Sequence, residues 1–208
     1  IRLETVGFKD MPLRGEQLDK AKNLIRQGME EGAVGLATGM SYFPNAWSDT
    51  DELVELCKVV AEYGGVYVTH LRDKNTDRGF GGGGVAEALE IGRRSGAKVH
   101  FSHFRTDEST AGRVRERTEL IDKAINEGID ISLELYPYPT GSTFPLSFLP
   151  SYAHEGGPEA MNGEAEIVKE KQDVVVVGAG CAGLCAAIAA CDAGAKTTVM
   201  EKAPHLKD

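Results

Sequence analysis

Two stretches of this chain, Val66–His70 and Lys98–His103, each run through β-forming residues into a histidine. The two histidines are 33 residues apart, about the length of one βα unit of a parallel sheet. Neighbouring parallel strands lie about 4.8 Å apart, so residues at matching strand ends can face one point in space. A neutral imidazole at such a point is a natural ligand for a borderline cation such as zinc. His70 and His103 are therefore the candidate metal ligands. Tyr42, Arg105 and Tyr136 fall just past strand ends, where substrate contacts collect in βα folds. His100 has the opposite parity from His103 along its strand, so it is expected to face another way as a structural residue. His154 and His205 lie in loop-like sequence with no partner pattern.

A second chemical signature lies near the carboxyl end. Asp173–Val177 reads as a buried-type strand running into Gly178, Gly180 and Gly183, and a helical pattern follows. Glu201 closes the next strand, at about the spacing of 20 residues that a dinucleotide fingerprint uses. Gly178 would permit the tight turn and Gly180 the approach of a pyrophosphate, while Gly183 would allow close helix–strand packing. The helix N-terminus favours phosphate charge, and Glu201 could accept hydrogen bonds from ribose hydroxyls.

The elements needed to position these groups alternate strand and helix. Apolar residues Leu18, Ala21, Leu24, Ile25 and Met29 recur at helical spacing within 16–31. A strand follows over 33–38, then a helix opened by Ser48–Glu52 and stopped by Gly64–Gly65. Strands at 66–70, 98–103 and 129–135 are separated by helices at about 85–95 and 114–126. Their regular repeat of about 31 to 33 residues suggests an α/β fold, part of a TIM-like βα barrel or an open parallel sheet. Residues 145–163 are rich in Pro, Gly and Ser and read as a connector. The expected organisation is a partial barrel over 1–161, a linker over 162–172 and a single Rossmann-type βαβ unit over 173–208. Half a barrel exposes strand edges and apolar surface, so self-association is expected.

Bulk properties narrow the class. A net charge of −9 and a pI near 5.1 argue against a nucleic-acid surface. No apolar run reaches the roughly 18 residues needed to span a bilayer, and the start does not resemble a signal peptide. Cys57, Cys181, Cys185 and Cys191 form no C-x-x-C pair. We expect small buried thiols in a reducing compartment, and hence a cytoplasmic protein.

Several blocks, in order, resemble the N-acyl-D-amino-acid deacylases (D-aminoacylases) of the amidohydrolase superfamily. They are Glu31-Gly-Ala-Val-Gly-Leu-Ala-Thr-Gly39 with Tyr42 and Pro44, and Ala61-Glu-Tyr-Gly-Gly-Val-Tyr-Val-Thr-His70-Leu-Arg-Asp73. Glu87-Ala-Leu-Glu-Ile-Gly-Arg93 and Phe101-Ser-His103 follow. Leu135-Tyr-Pro-Tyr138, Gly141-Ser-Thr143 and Glu155-Gly-Gly-Pro158 complete the set. The resemblance implies a metal-bearing barrel that hydrolyses the linear amide of N-acyl-D-amino acids. It implies zinc at His70 and His103, with Tyr42, Arg105 and Tyr136 lining the substrate site. Arg105 stands where that family usually has lysine, which keeps the charge but changes reach and geometry. The Gly79–Gly84 stretch is longer and richer in glycine than the family's loop. The family's amino-terminal His-x-His pair, its cysteine ligand and its catalytic aspartate have no counterpart in this sequence. Two histidines alone fall short of a three-ligand catalytic zinc site, and no carboxylate here matches the general acid/base.

Residues 173–204 resemble the first βαβ unit of FAD-dependent oxidoreductases of the fumarate reductase and succinate dehydrogenase type. The resemblance runs through Asp173-Val-Val-Val-Val-Gly-Ala-Gly-Cys-Ala-Gly-Leu184, Ala193-Gly-Ala-Lys196 and Val199-Met-Glu201-Lys202. Two alternatives thus stand beside the deacylase: an FAD-dependent oxidoreductase, and a non-catalytic hybrid of two truncated domains.

Overall fold

The computed structural model describes residues 1–72, 76–104, 112–137, 143, 145–164, 173–177 and 181–200. The chain forms two compact units, Ile1–Glu164 and Ala165–Asp208.

In the first unit, helices α1 (Arg2–Thr5) and α2 (Gly15–Glu30) precede strand β1 (Gly35–Gly39). Then come α3 (Thr50–Glu62), β2 (Val66–His70), α4 (Gly83–Ser95), β3 (Lys98–Phe101), α5 (Val114–Asn126) and β4 (Ile131–Leu133). The four strands make one parallel sheet in the order β1-β2-β3-β4. The α/β class and the parallel sheet agree with the sequence reading; the sheet is open, with β1 and β4 at its edges.

Local chemistry explains the element boundaries. The Asp49 side chain caps α3 by accepting from the Glu52 backbone N–H at 2.9 Å. That helix buries Leu53, Val54, Leu56, Cys57, Val59 and Val60, a spread wide enough to serve two neighbours. Leu53, Val54 and Cys57 pack in the sheet-side core with Tyr67, Leu89, Val99 and Phe101. Leu56, Val59 and Val60 pack against Ala21, Ile25 and Met29 of α2. Each fully buried side chain of this size contributes about 1.5–3 kcal/mol relative to exposure.

Two buried ion pairs tie the layers together. Arg2 reaches both carboxylate oxygens of Glu52, at 2.7 and 2.8 Å, and the Leu13 N–H donates to the same group at 2.7 Å. Arg72 Nε donates to Glu87 Oε2 at 2.7 Å and its Nη2 to Oε1 at 3.1 Å, with both side chains almost wholly buried.

Three expectations need correction. The strand through His103 stops at Phe101, because the backbone turns left-handed at His103 (φ 40°). The connector holds a helix, α6 (Gly157–Glu164). Pro158 and Glu159 suit a first turn, and the Gly156 N–H anchors the start by donating to the Phe8 carbonyl at 2.8 Å. The thiols are not uniformly buried: Cys57 is, whereas Cys185 and Cys191 are exposed.

The second unit is a parallel pair, β5 (Val174–Val177) and β6 (Thr197–Met200), joined through α7 (Cys181–Asp192). Asp173 Oδ2 accepts from the Lys196 N–H at 2.9 Å, fixing the entry to both strands. A helix apolar on all sides cannot bury itself on two strands, so Ile188 is 60% exposed and both flanking cysteines face solvent. Gly183 lies within α7, whereas Gly178, Gly180 and Glu201 lie outside the described residues.

Candidate metal centre

The carboxyl ends of β1, β2 and β3 bring one group of side chains together. β2 delivers His70 at its last position, and the Met40 N–H donates to the His70 carbonyl at 3.0 Å, carrying the β1 connection past it. The chain then turns so that the Tyr42 N–H donates to the Gly39 carbonyl at 3.0 Å. A Cβ at Gly39 would meet the Tyr42 ring at 2.9 Å, so only glycine leaves the tyrosine this close to the strand. The Tyr42 ring centroid lies 4.9 Å from that of His70. Tyr136, just beyond β4, approaches His103 with centroids 6.3 Å apart.

His70 Nδ1 and His103 Nε2 are 2.9 Å apart, with the rings edge to face at 86°. One nitrogen donates and the other accepts, according to tautomer. The ladder alone does not bring them together. Thr69 pairs with Phe101, so His70 falls level with Ser102, and an extended chain would send His103 to the other face. The left-handed turn at His103, which costs an L-residue about 1–2 kcal/mol, swings its ring over to His70. The alternation expected between His100 and His103 fails for the same reason. His100 pairs with Val68, two residues before His70, and so shares its face; its Nδ1 lies 2.8 Å from Ser132 Oγ.

The two nitrogens fit the donor chemistry of a metal site. Ligands at the usual ~2.0–2.1 Å around a tetrahedral zinc sit about 3.3 Å from each other, near the 2.9 Å separation here. A cation would need the rings to part slightly and to turn both lone pairs toward a common point. The hydrogen now between them must move to the outer nitrogen of its ring, since a cation takes both lone pairs. Among the described residues, no group of three or more His, Cys, Asp or Glu side chains could hold a metal.

Outside that pair, four further side chains and turns shape this rim. Arg72 donates to the Ala46 carbonyl at 2.9 Å and the Ser48 carbonyl at 2.7 Å, pinning the loop after Tyr42 to the end of β2. A Cβ at Gly84 would lie 2.7 Å from the Arg72 carbonyl oxygen, so the glycine-rich turn lets α4 approach this strand end closely. His154 is buried and stacked on Phe43 at 4.2 Å, and burial pulls its pKa below the ordinary value. Glu134 accepts from Ser102 Oγ at 2.8 Å and from the His103 N–H at 3.2 Å, and these bonds hold its carboxyl below the usual range. Arg72, two residues beyond a strand-end histidine, and the Gly79–Gly84 run are visible along the sequence, and Glu134 only as a position on the fourth strand where the resembling family often has aspartate. The contacts they make, and the burial of His154, carry no sequence signal. Arg105 lies outside the described residues.

A parallel α/β sheet that brings two histidines together at its carboxyl rim has counterparts among known proteins. Over 133 residues the chain is 36% identical to a D-aminoacylase of Alcaligenes xylosoxydans xylosoxydans, covering 62% of this chain and 26% of that protein. A D-aminoacylase crystal structure described as defining a novel subset of amidohydrolases superposes with a TM-score of 0.59 at 29% identity, over 67% of this chain and 29% of that one. The N-acyl-D-glutamate deacylase of Bordetella bronchiseptica, complexed with zinc and a phosphonate inhibitor that mimics the tetrahedral intermediate, gives 0.59 at 30% identity, over 66% and 29%. The resemblance to N-acyl-D-amino-acid deacylases therefore holds, and the chain spans about a quarter of the length of the curated relatives it matches. Residues 173–207 match the FAD binding domain family model.

Proposed function

We propose that residues 1–164 are the metal-binding part of a TIM-like barrel that hydrolyses the linear amide of N-acyl-D-amino acids. The observation that carries this reading is the 2.9 Å meeting of His70 Nδ1 and His103 Nε2 at the ends of adjacent strands. His70 and His103 would hold a zinc ion, with further ligands from outside the described residues. Bound zinc polarises an amide carbonyl and lowers the pKa of water. The chain's own groups bind and orient the substrate. Tyr42 and Tyr136 flank the two imidazoles and would present hydroxyls to the acyl oxygen, while Arg105 would grip the amino-acid carboxylate as a fork. No residue of this chain is assigned to general acid/base work.

Free thiols at Cys57, Cys185 and Cys191 support a reducing, cytoplasmic setting. The open edges β1 and β4, with Leu133 41% and Leu135 64% exposed, support self-association. No helix among the described residues is long and apolar enough to cross a membrane.

Zinc content after dialysis tests the reading. The protein should retain zinc, and His70→Ala or His103→Ala should lose it with the fold intact. A folded wild-type protein that binds no zinc would overturn the proposal.

The family-model match over 173–207 favours a second reading for the other unit, an FAD-binding βαβ element using Gly178, Gly180, Gly183 and Glu201. Titration with FAD, read as quenching of flavin fluorescence and absorbance at about 450 nm, should saturate and be abolished by Gly180→Val. An unchanged flavin signal would end that reading.

A further inference from the structure

We propose that Glu134 is the positioning residue that turns His103 toward His70. The inference rests on the metal reading above and adds a residue to it. The argument begins with register. With Thr69 level with Phe101, straight continuation of β3 would leave His103 on the face opposite His70. His103 instead takes φ 40°, and among the described residues it is the one non-glycine in the left-handed region. Such a conformation persists only where its surroundings over-determine it.

Residue 134 supplies those surroundings. Its backbone N–H donates to the Phe101 carbonyl at 3.1 Å, and its carbonyl accepts from the Phe104 N–H at 2.6 Å. Between these points its side-chain Oε1 accepts from Ser102 Oγ at 2.8 Å and from the His103 N–H at 3.2 Å. One residue therefore holds four consecutive positions of the turn. The backbone bonds would form with any residue at 134; the two bonds at Ser102 and His103 need an acceptor at the reach of a glutamate side chain. A β-strand end has no donor or acceptor pattern of its own that would bend the chain here, so the carboxylate decides which way the imidazole faces. The partner is behind the metal ligand rather than on the metal, as with groups that orient ligating histidines elsewhere.

Zinc affinity, measured by competition with a chromophoric chelator, separates the possibilities. Glu134→Ala should weaken zinc binding by roughly 10–100-fold at unchanged melting temperature, the usual cost of losing a group that orients a ligand. Glu134→Gln keeps an oxygen acceptor at the same reach and should stay within roughly threefold of wild type, since one bond geometry is retained. In the metal-free protein the His103 amide should be protected from hydrogen exchange, and Glu134→Ala should remove that protection. Three results overturn the assignment: unchanged zinc affinity in Glu134→Ala, an equal loss in Glu134→Gln (the mark of a direct ligand), or an unprotected His103 amide in the wild type. Failure of the underlying metal reading is distinct, because then the wild type itself binds no zinc while amide protection still reports on the turn.

Discussion

The two faces of the four-stranded sheet do different work. On the helix side, Tyr67, Val99 and Phe101 are at most 1% exposed and lie in a core shared with α3 and α4. The other face is an open groove of ≈530 Å³ along Val68, Lys98, His100, Asp130 and Ser132. Parallel sheets are ordinarily buried on both sides, so the contrast separates what holds this unit together from what it presents. Stability resides on the covered face. The candidate chemistry is confined to the rim, where strand ends meet loops.

That contrast can be broken by substitution. Phe101→Ala should have the largest effect, destabilising the unit by about 4 kcal/mol through lost burial and the cavity left behind; urea denaturation followed by circular dichroism reads it. Close to it comes Glu87→Ala, expected to cost about 3 kcal/mol or more. It leaves the Arg72 guanidinium buried without its carboxylate, and the Ala46 and Ser48 carbonyls alone do not neutralise it. His100→Ala on the open face should change stability by no more than about 0.5 kcal/mol, although His100 lies one residue from Phe101. An equal loss from His100→Ala and Phe101→Ala would show that the open face is covered in solution.

A smaller effect sharpens the comparison at the rim. Burial lowers the pKa of His154 in the folded protein, so the unfolded chain takes up that proton first. Stability should then be complete above about pH 6.5 and decline as pH falls through the lower folded value, with the unfolded state binding more protons. Thermal melts between pH 7.5 and about 5 test this, and His154→Phe, which keeps the ring stacked on Phe43, should flatten the slope. A slope unchanged in His154→Phe would assign the pH dependence to other groups.

Much of this molecule was legible along the chain. The 3.6-residue spacing of Leu18, Ala21, Ile25 and Met29 marks α2, and the Asp49 cap marks the start of α3, because both signals are local. The histidine pair was legible through spacing, since one βα unit carries a strand end to its neighbour's level. Residues 145–163 hid a helix for the opposite reason. α6 has little amphipathic pattern of its own, and its beginning is held by a contact to Phe8, far away in sequence. Cys185 and Cys191 were misread as buried because an apolar helix implies a covering that two strands do not provide.

What the residues alone determined is the order of strands and helices, the parallel α/β class and the identity of the imidazoles that meet, since each follows from periodicity and spacing within about one βα unit. Only the folded chain decided how they meet. Strand register sets His70 level with Ser102, and the carboxylate of Glu134, arriving from the next strand, bends the backbone until His103 faces inward. The physical reason is range: periodicity acts through neighbours along the chain, whereas a left-handed turn is held by groups that tertiary folding alone brings to it.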